Sequence, residues 1–305
     1  MTVPAHPSVT AVMVTYRSAG VVGSSLMALR PGHESGVLRV VVVDNQSSDG
    51  TADLVAREHP WVDLVRSPVN LGYGRGCNRG FEEVATPYVL FMNPDVVVSP
   101  TAVTGLVRFL EEHPRAGMAA PATRLGGRFW QHAGGLATPG VVVARAAGYR
   151  GRHRAIQPGD PPFRTDWLCG AVFLMPSALF RSLGGFDPRF FLYFEETDLC
   201  LRIRKAGREL WGIGEVEATH VGGASARTKD PQLREGDCLA EFFFPSRYYY
   251  LLKHFGGPAA EMAEGLELVL KGIRDVGRFV LRRSSRQELR TRLRGPVFTL
   301  PPRPS

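Results

Sequence analysis

Leu38-Arg39-Val40-Val41-Val42-Val43-Asp44-Asn45-Gln46-Ser47-Ser48-Asp49-Gly50-Thr51 is a run of β-branched residues that stops at a carboxylate and turns through small polar residues. An unbroken apolar run, without alternation, reads as a strand covered on both faces. Ser47, Ser48 and Asp49 can cap a helix predicted from Thr51 to Glu58. Upstream, Val9 to Thr15 repeats the theme and precedes a helical pattern from Val21 to Leu29. Downstream come a strand from Val62 to Arg66, a helix from Gly76 to Val84, a strand from Tyr88 to Met92 and a helix from Ala102 to Glu112. Strands alternating with helices imply an α/β fold, a Rossmann-like and mostly parallel sheet with right-handed crossovers. Ligands of such sheets bind at the carboxyl ends of the strands. Here those ends are polar: Thr15-Tyr16, Asp44-Asn45 and Asn93-Pro94-Asp95.

The remainder is less regular. Arg124 to Pro162, rich in Gly, Ala, Pro and Arg, reads as loops or a short hairpin, a flap over the site. Order returns at Trp167 to Met175, a helix from Ser177, the turn Gly184-Gly185-Phe186-Asp187 and a helix from Thr197 to Ala206. Pro245 to Phe255 and Ala259 to Arg294 read as helices, the second carrying Lys271, Arg274, Arg278, Arg282, Arg283 and Arg286 beside its apolar positions. The expected division is a domain over 1–240, with a nucleotide-binding half to 120 and an acceptor and catalytic half from 121, then a basic helical extension over 241–305.

The chain has 305 residues, 44% hydrophobic and 22% charged, the composition of a globular protein. No stretch approaches the roughly 18 apolar residues of a membrane span, and the first residues lack the pattern of a secretion signal, so a cytoplasmic protein is expected. Cys77, Cys169, Cys200 and Cys238 are far apart and read as free buried thiols. The net charge is +8, and from Glu241 onward twelve Lys and Arg face six Asp and Glu. Such a local surplus suits an anionic lipid surface. With no recognisable nucleic-acid module, a nucleic-acid-binding protein is the weaker reading. A nicotinamide-dependent oxidoreductase is disfavoured too, because the glycines follow the third strand rather than the first.

Four further stretches carry candidate chemistry. In Asn70-Leu71-Gly72-Tyr73-Gly74-Arg75-Gly76-Cys77-Asn78-Arg79-Gly80, glycines let the backbone approach a ligand and a helix start favours a diphosphate. Asp95, ending a buried strand, can hold a divalent cation or cap a helix. Phe194-Glu195-Glu196-Thr197-Asp198 places three carboxylates among aromatics, where crowding and desolvation raise a pKa toward that of a general base. Asp198 is spaced to pair with Arg202. His220, in Thr219-His220-Val221-Gly222-Gly223, gains weight only from its neighbours.

Taken in order, these runs resemble family 2 glycosyltransferases with the GT-A fold, in particular the bacterial rhamnosyltransferase-like branch, over roughly residues 9 to 255. The resemblance implies that Thr15, Tyr16, Asp44 and Asn45 hold the nucleoside and that Asn70, Gly72, Tyr73 and Asn78 line the donor's diphosphate and sugar. It implies Asn93 and Asp95 beside the diphosphate, with Asp95 and His220 holding Mg²⁺ or Mn²⁺. The family often has two acids in this motif, and Asn93 replaces the first. Glu196, with Glu195 and Asp198 around it, stands where the family keeps its catalytic base. Trp167, Gly170 and Ala171 would line the acceptor pocket. The implied partners are a nucleotide-sugar donor, dTDP-rhamnose before a UDP-sugar, and a glycan or lipid-linked acceptor at the inner face of the plasma membrane.

Overall fold

The computed structural model describes residues 8–125, 128–129, 132–151, 153–220, 239–280, 292–293 and 297–301. In chain order its strands are β1 (Val9–Thr15), β2 (Leu38–Asp44), β3 (Asp63–Arg66), β4 (Tyr88–Met92), β5 (Val96–Val98), β6 (Ala116–Leu125), β7 (Arg128–Phe129), β8 (His132–Gly134), β9 (Arg154–Ala155), β10 (Phe163–Thr165), β11 (Trp167–Leu168), β12 (Val172–Pro176) and β13 (Glu209–His220). The helices are α1 (Val22–Glu34), α2 (Thr51–Glu58), α3 (Tyr73–Phe81), α4 (Pro100–Glu112), α5 (Pro139–Ala146), α6 (Ser177–Ser182), α7 (Glu195–Lys205), α8 (Phe244–Phe255) and α9 (Gly257–Val280).

The main sheet runs β10-β13-β6-β12-β4-β1-β2-β3. One side of it, β4-β1-β2-β3, is entirely parallel, as the unbroken valine runs require. β1 and β2 are buried along nearly their whole length, because α1 and α4 cover one face and α3 the other. The other side joins it through antiparallel β12, between β4 and β6. Register fixes which residues meet: Thr15 lies beside Asp44, and Met92 beside Val172.

Two departures from the sequence reading concern the middle of the chain. Arg124 to Pro162 opens with a short hairpin, β6 to β7, as that reading allowed, but also contains α5 and the strands β8 and β9, which with β11 form a second, three-stranded sheet. Thr138, whose side chain accepts from the Val141 amide, and Pro139 at the first turn start α5. Long β13 was also not foreseen. The helix expected to run to Arg294 is described to Val280, and 281–291 lie outside the described residues, as does Cys238. Cys77 and Cys200 are buried free thiols, and Cys169 is half-buried.

Candidate active site

At the ends of β1 and β2, the Thr15 hydroxyl donates to Asp44 Oδ1 at 3.0 Å, and the Ser47 amide donates to Oδ2 at 3.0 Å. These bonds hold a nearly buried carboxylate in one orientation at the sheet edge. The Arg17 amide donates to Ser47 Oγ, tying the two strand-end loops together. Arg17 and Gln46 both have positive φ, 51° and 60°. Such strain persists only where the surroundings over-determine it, and it clusters at functional sites. Tyr16 stands exposed, with the Arg17 guanidinium 5.3 Å from its ring centre. An open aromatic face beside a fixed carboxylate is a surface on which a flat base and its ribose can be held.

The glycine-rich turn is seated against this edge. Asn70 Oδ1 accepts from the Gly72 amide, and Asn45 Nδ2 donates to the Gly72 carbonyl at 2.8 Å. Gly72 has φ +76°, and a Cβ there would lie 2.2 Å from the Phe191 carbonyl oxygen, so only glycine fits. The next amide, Tyr73 N–H, donates to that same oxygen at 3.0 Å. The Tyr73 hydroxyl reaches across to the Gly170 carbonyl at 3.1 Å. Asn78 donates to the Phe186 carbonyl and accepts from the Phe186 amide, each at 2.8 Å. Expected beside the donor, Asn78 thus clamps α3 to the Gly184–Asp187 turn.

Asp95 follows β4 and is fully buried. Its turn is pinned from both sides: the Asn93 amide donates to the Ala171 carbonyl at 2.9 Å, and Ser25 Oγ to the Pro94 carbonyl at 2.9 Å. β5 then pairs antiparallel with the end of β13, matching Val96 to His220. That pairing carries His220 Nε2 to 3.5 Å from Asp95 Oδ1. Burial lowers the His220 pKa below its usual 6.5 despite the attraction of Asp95, so a neutral imidazole is favoured. A carboxylate and a neutral imidazole side by side fit a divalent cation whose remaining ligands come from substrate phosphates and water. Among the described residues no group of three or more His, Cys, Asp and Glu gathers to hold a metal by itself.

The third element is the start of α7. Tyr193 and Phe194 both adopt positive φ, 67° and 69°, and deliver Glu195, Glu196 and Asp198 in the first helical turn, where the helix dipole favours carboxylates. Glu195 is buried, and its Oε2 has no hydrogen-bond partner among the described residues. Burial, reinforced by the neighbouring Glu196 charge, pushes its carboxyl well above the usual range. Glu196, half-buried, is raised as well, again by burial, but hydrogen bonds, including one from Thr197, hold it back. The two titrate as a pair, both raised by burial.

Glu196 packs on Gly170, where an added Cβ would meet its Cβ at 3.2 Å. Gly170 precedes Ala171, whose carbonyl holds Asn93. The Asp95 turn and the glutamate pair are therefore joined through one short segment, Gly170-Ala171. Trp167 lies at the same place but spends its indole N–H on Thr197 Oγ1. Asp198 is separate from the pair. It is fully buried, and its carboxylate engages Arg202 Nε at 2.7 Å, Lys253 Nζ at 2.6 Å and His254 Nε2 at 2.7 Å. Against the cost of burial, these partners hold its pKa at about 2. Asp198 is therefore a fastening of α7 to α8 rather than a proton acceptor. The Arg202 pairing follows from the i,i+4 spacing, but Lys253 and His254 carry no local signal in the sequence. The Thr197 hydroxyl and the Phe191 carbonyl were missed too, one a small residue beside louder acids and the other a backbone atom.

The profile described as "Glycosyl transferase family 2" matches residues 10–170. An N-acetylglucosaminyl-diphospho-decaprenol L-rhamnosyltransferase of Mycobacterium tuberculosis is 31% identical over 205 residues, covering 59% of this chain and 66% of that protein, just under two thirds of its length. Rhamnosyltransferase WbbL of Escherichia coli is 22% identical over 194 residues, covering 60% of this chain and 72% of that one. Among solved structures, a mannosyltransferase from Pyrobaculum calidifontis in complex with GDP-Man and Mn²⁺ superposes with a TM-score of 0.53 at 16% identity, over 95% of this chain and 85% of that one. That last likeness is one of fold. With more than half of the chain matched by the profile, this protein belongs to glycosyl transferase family 2.

Proposed function

We propose that the chain is an inverting hexosyltransferase that moves a sugar, rhamnose in the first instance, from a nucleoside diphosphate to a cell-envelope glycan or polyprenyl-diphosphate-linked acceptor. The observation that supports the reading is that the Asp95 turn, through Asn93, and Glu196 both pack on one short segment, Gly170-Ala171. One residue type suits a metal-bound diphosphate and the other a proton acceptor, at the strand ends where an α/β sheet binds ligands. dTDP-rhamnose is the favoured donor because the relatives include rhamnosyltransferases. A UDP-linked hexose is the second choice.

In this reading Tyr16, Asp44 and Thr15 hold the nucleoside, and the Gly72-Tyr73 backbone and the start of α3 face the diphosphate. Asp95 and His220 would hold Mg²⁺ or Mn²⁺, which when bound offsets the charge that builds on the departing diphosphate. The acceptor hydroxyl oxygen attacks the anomeric carbon as the bond to the diphosphate breaks and its electron pair leaves with the nucleotide. Glu196 takes the hydroxyl proton, and a single displacement inverts the anomeric centre. An acceptor on a polyprenyl carrier would place the chain at the inner face of the membrane. No helix among the described residues is long and apolar enough to cross one.

A donor screen tests this. Nucleotide release is followed with dTDP-rhamnose, UDP-hexoses and GDP-mannose, with Mg²⁺, Mn²⁺ or chelator, and NAD⁺ serves as a thermal-shift control. Release from one sugar nucleotide, dependent on acceptor, is expected. Stabilisation by NAD⁺ with no response to any sugar nucleotide would reject the reading.

A further inference from the structure

Helix α9 is arranged inside out. Apart from exposed Glu261 at its start, charged residues along it turn toward the protein: Glu264 and Glu267 are buried against Arg247 and Arg292, Lys271 is paired with Glu267 at 2.9 Å, and Arg274 donates to the Ala146 carbonyl at 3.0 Å. Its small residues Ala260 and Ala263 pack into a core with Tyr250 and Leu251 of α8 and Val142 of α5. Met262, Leu266, Val269, Ile273 and Val276 face outward, each between 43% and 65% exposed. Their spacing of four, three, four and three draws one straight stripe along the helix. Every residue from Met262 to Val276 that stands clear in solvent is one of these five. A helix that lies on a protein surface normally does the reverse, and an exposed apolar stripe of this kind marks an interaction surface.

Charge identifies the occupant. The sequence running on from the stripe, Leu281 to Arg294, carries, besides the buried Arg292, Arg282, Arg283, Arg286, Arg290 and Arg294 against a single acid, Glu288. Two copies of such a segment repel each other, whereas an anionic leaflet attracts it. The stripe is also narrow: five side chains fall well short of the roughly 20–30 residues a side of a stable protein interface. A helix with a continuous apolar face and basic continuation can instead bury that face at the boundary between headgroups and acyl chains.

We propose that the Met262–Val276 face of α9 docks the protein, lying flat, on an anionic lipid surface that attracts the basic sequence following it. The proposed glycosyl transfer gives this docking a purpose, since a lipid-linked acceptor would be presented at that surface, but the docking stands on α9 alone. Flotation of the full chain tests it, using phosphatidylcholine vesicles with and without phosphatidylglycerol, at low and moderate salt. Flotation is expected with the anionic vesicles, weaker as salt rises. The double variant Val269→Glu with Ile273→Glu is expected to lose it roughly tenfold or more while keeping wild-type circular dichroism and wild-type nucleotide release toward a water-soluble acceptor. No flotation, or flotation unchanged in the variant, would overturn the proposal. So would a wild-type dimer in sedimentation equilibrium that the same variant splits, because α9 would then be a contact between copies. Flotation and sedimentation require no donor sugar to be turned over, so the docking and the transfer reading fail separately.

Discussion

The Trp167 indole N–H donates to Thr197 Oγ1 at 3.0 Å, and that hydroxyl donates in turn to Glu196 Oε1 at 3.3 Å. The proposed base is thus aimed by its own helix neighbour, which is aimed by a residue of β11. Trp167→Phe removes the first bond of this chain, and Thr197→Val removes both. In steady-state kinetics both should lower kcat roughly tenfold and leave nucleotide affinity unchanged, while Thr197→Ser keeps most of the rate. A rise in KM with unchanged kcat would instead make Trp167 a wall of the acceptor pocket.

Glu196→Gln should cut kcat by about 10²–10⁴ with nucleotide affinity intact by calorimetry. Because burial raises the Glu196 pKa, the acidic limb of the wild-type rate profile should lie above the ordinary Glu value of 4.5.

Glu195 gives a stability prediction. Its folded pKa lies above the unfolded value of 4.5, so the stability linked to its proton is full below 4.5 and is lost as pH rises toward the folded value. Glu195→Gln keeps a neutral group there at every pH. Differential scanning fluorimetry should find the variant more stable than wild type by about 2–4 °C near neutral pH, with the difference gone below pH 4.5.

For Asp198 the sign is opposite. Its folded pKa of about 2 lies below the unfolded 3.8, so its contribution is present above 3.8 and is lost as pH falls toward 2. Asp198→Asn leaves Arg202 and the α8 cations without their buried counter-ion. Removing one partner of such a cluster costs about 3–5 kcal/mol, so Tm should fall by about 10 °C at neutral pH, and the gap should close in acid.

Asp95→Asn should abolish the stimulation of nucleotide release by Mn²⁺ or Mg²⁺, and His220→Ala should weaken it about 10–100-fold. A chelator should inhibit the wild type, and metal titrations followed by nucleotide release provide the check.

Much of this was legible because it is local. The valine runs of β1 and β2, with their polar ends, dictate a parallel sheet and put Thr15 beside Asp44 once the register is set by burial. The Glu195-Glu196 cluster announces itself by composition. What could not be read depends on partners remote in sequence. Nothing near Asp95 says that the last residue of β13 will pair beside it, and nothing near Asp198 says that Lys253 and His254 will close over it. Helix α5 was hidden because Gly, Ala and Pro blurred its period, although Thr138-Pro139 is a legitimate start signal. The inverted polarity of α9 was hidden for a different reason: apolar periodicity locates a stripe without saying whether it points inward.

The Gly72 contact with Phe191 joins the two halves of the chain at their narrowest tolerance: no Cβ fits on one side, and the same carbonyl holds the Tyr73 amide on the other. Relatives of this enzyme therefore cannot be recombined at the midpoint as if donor choice and acceptor choice were separate cassettes. A graft that retunes the sugar loop inherits the backbone path leading to the glutamates. New specificities along this lineage should arise by substitutions matched on both sides of that seam, not by exchange of whole segments.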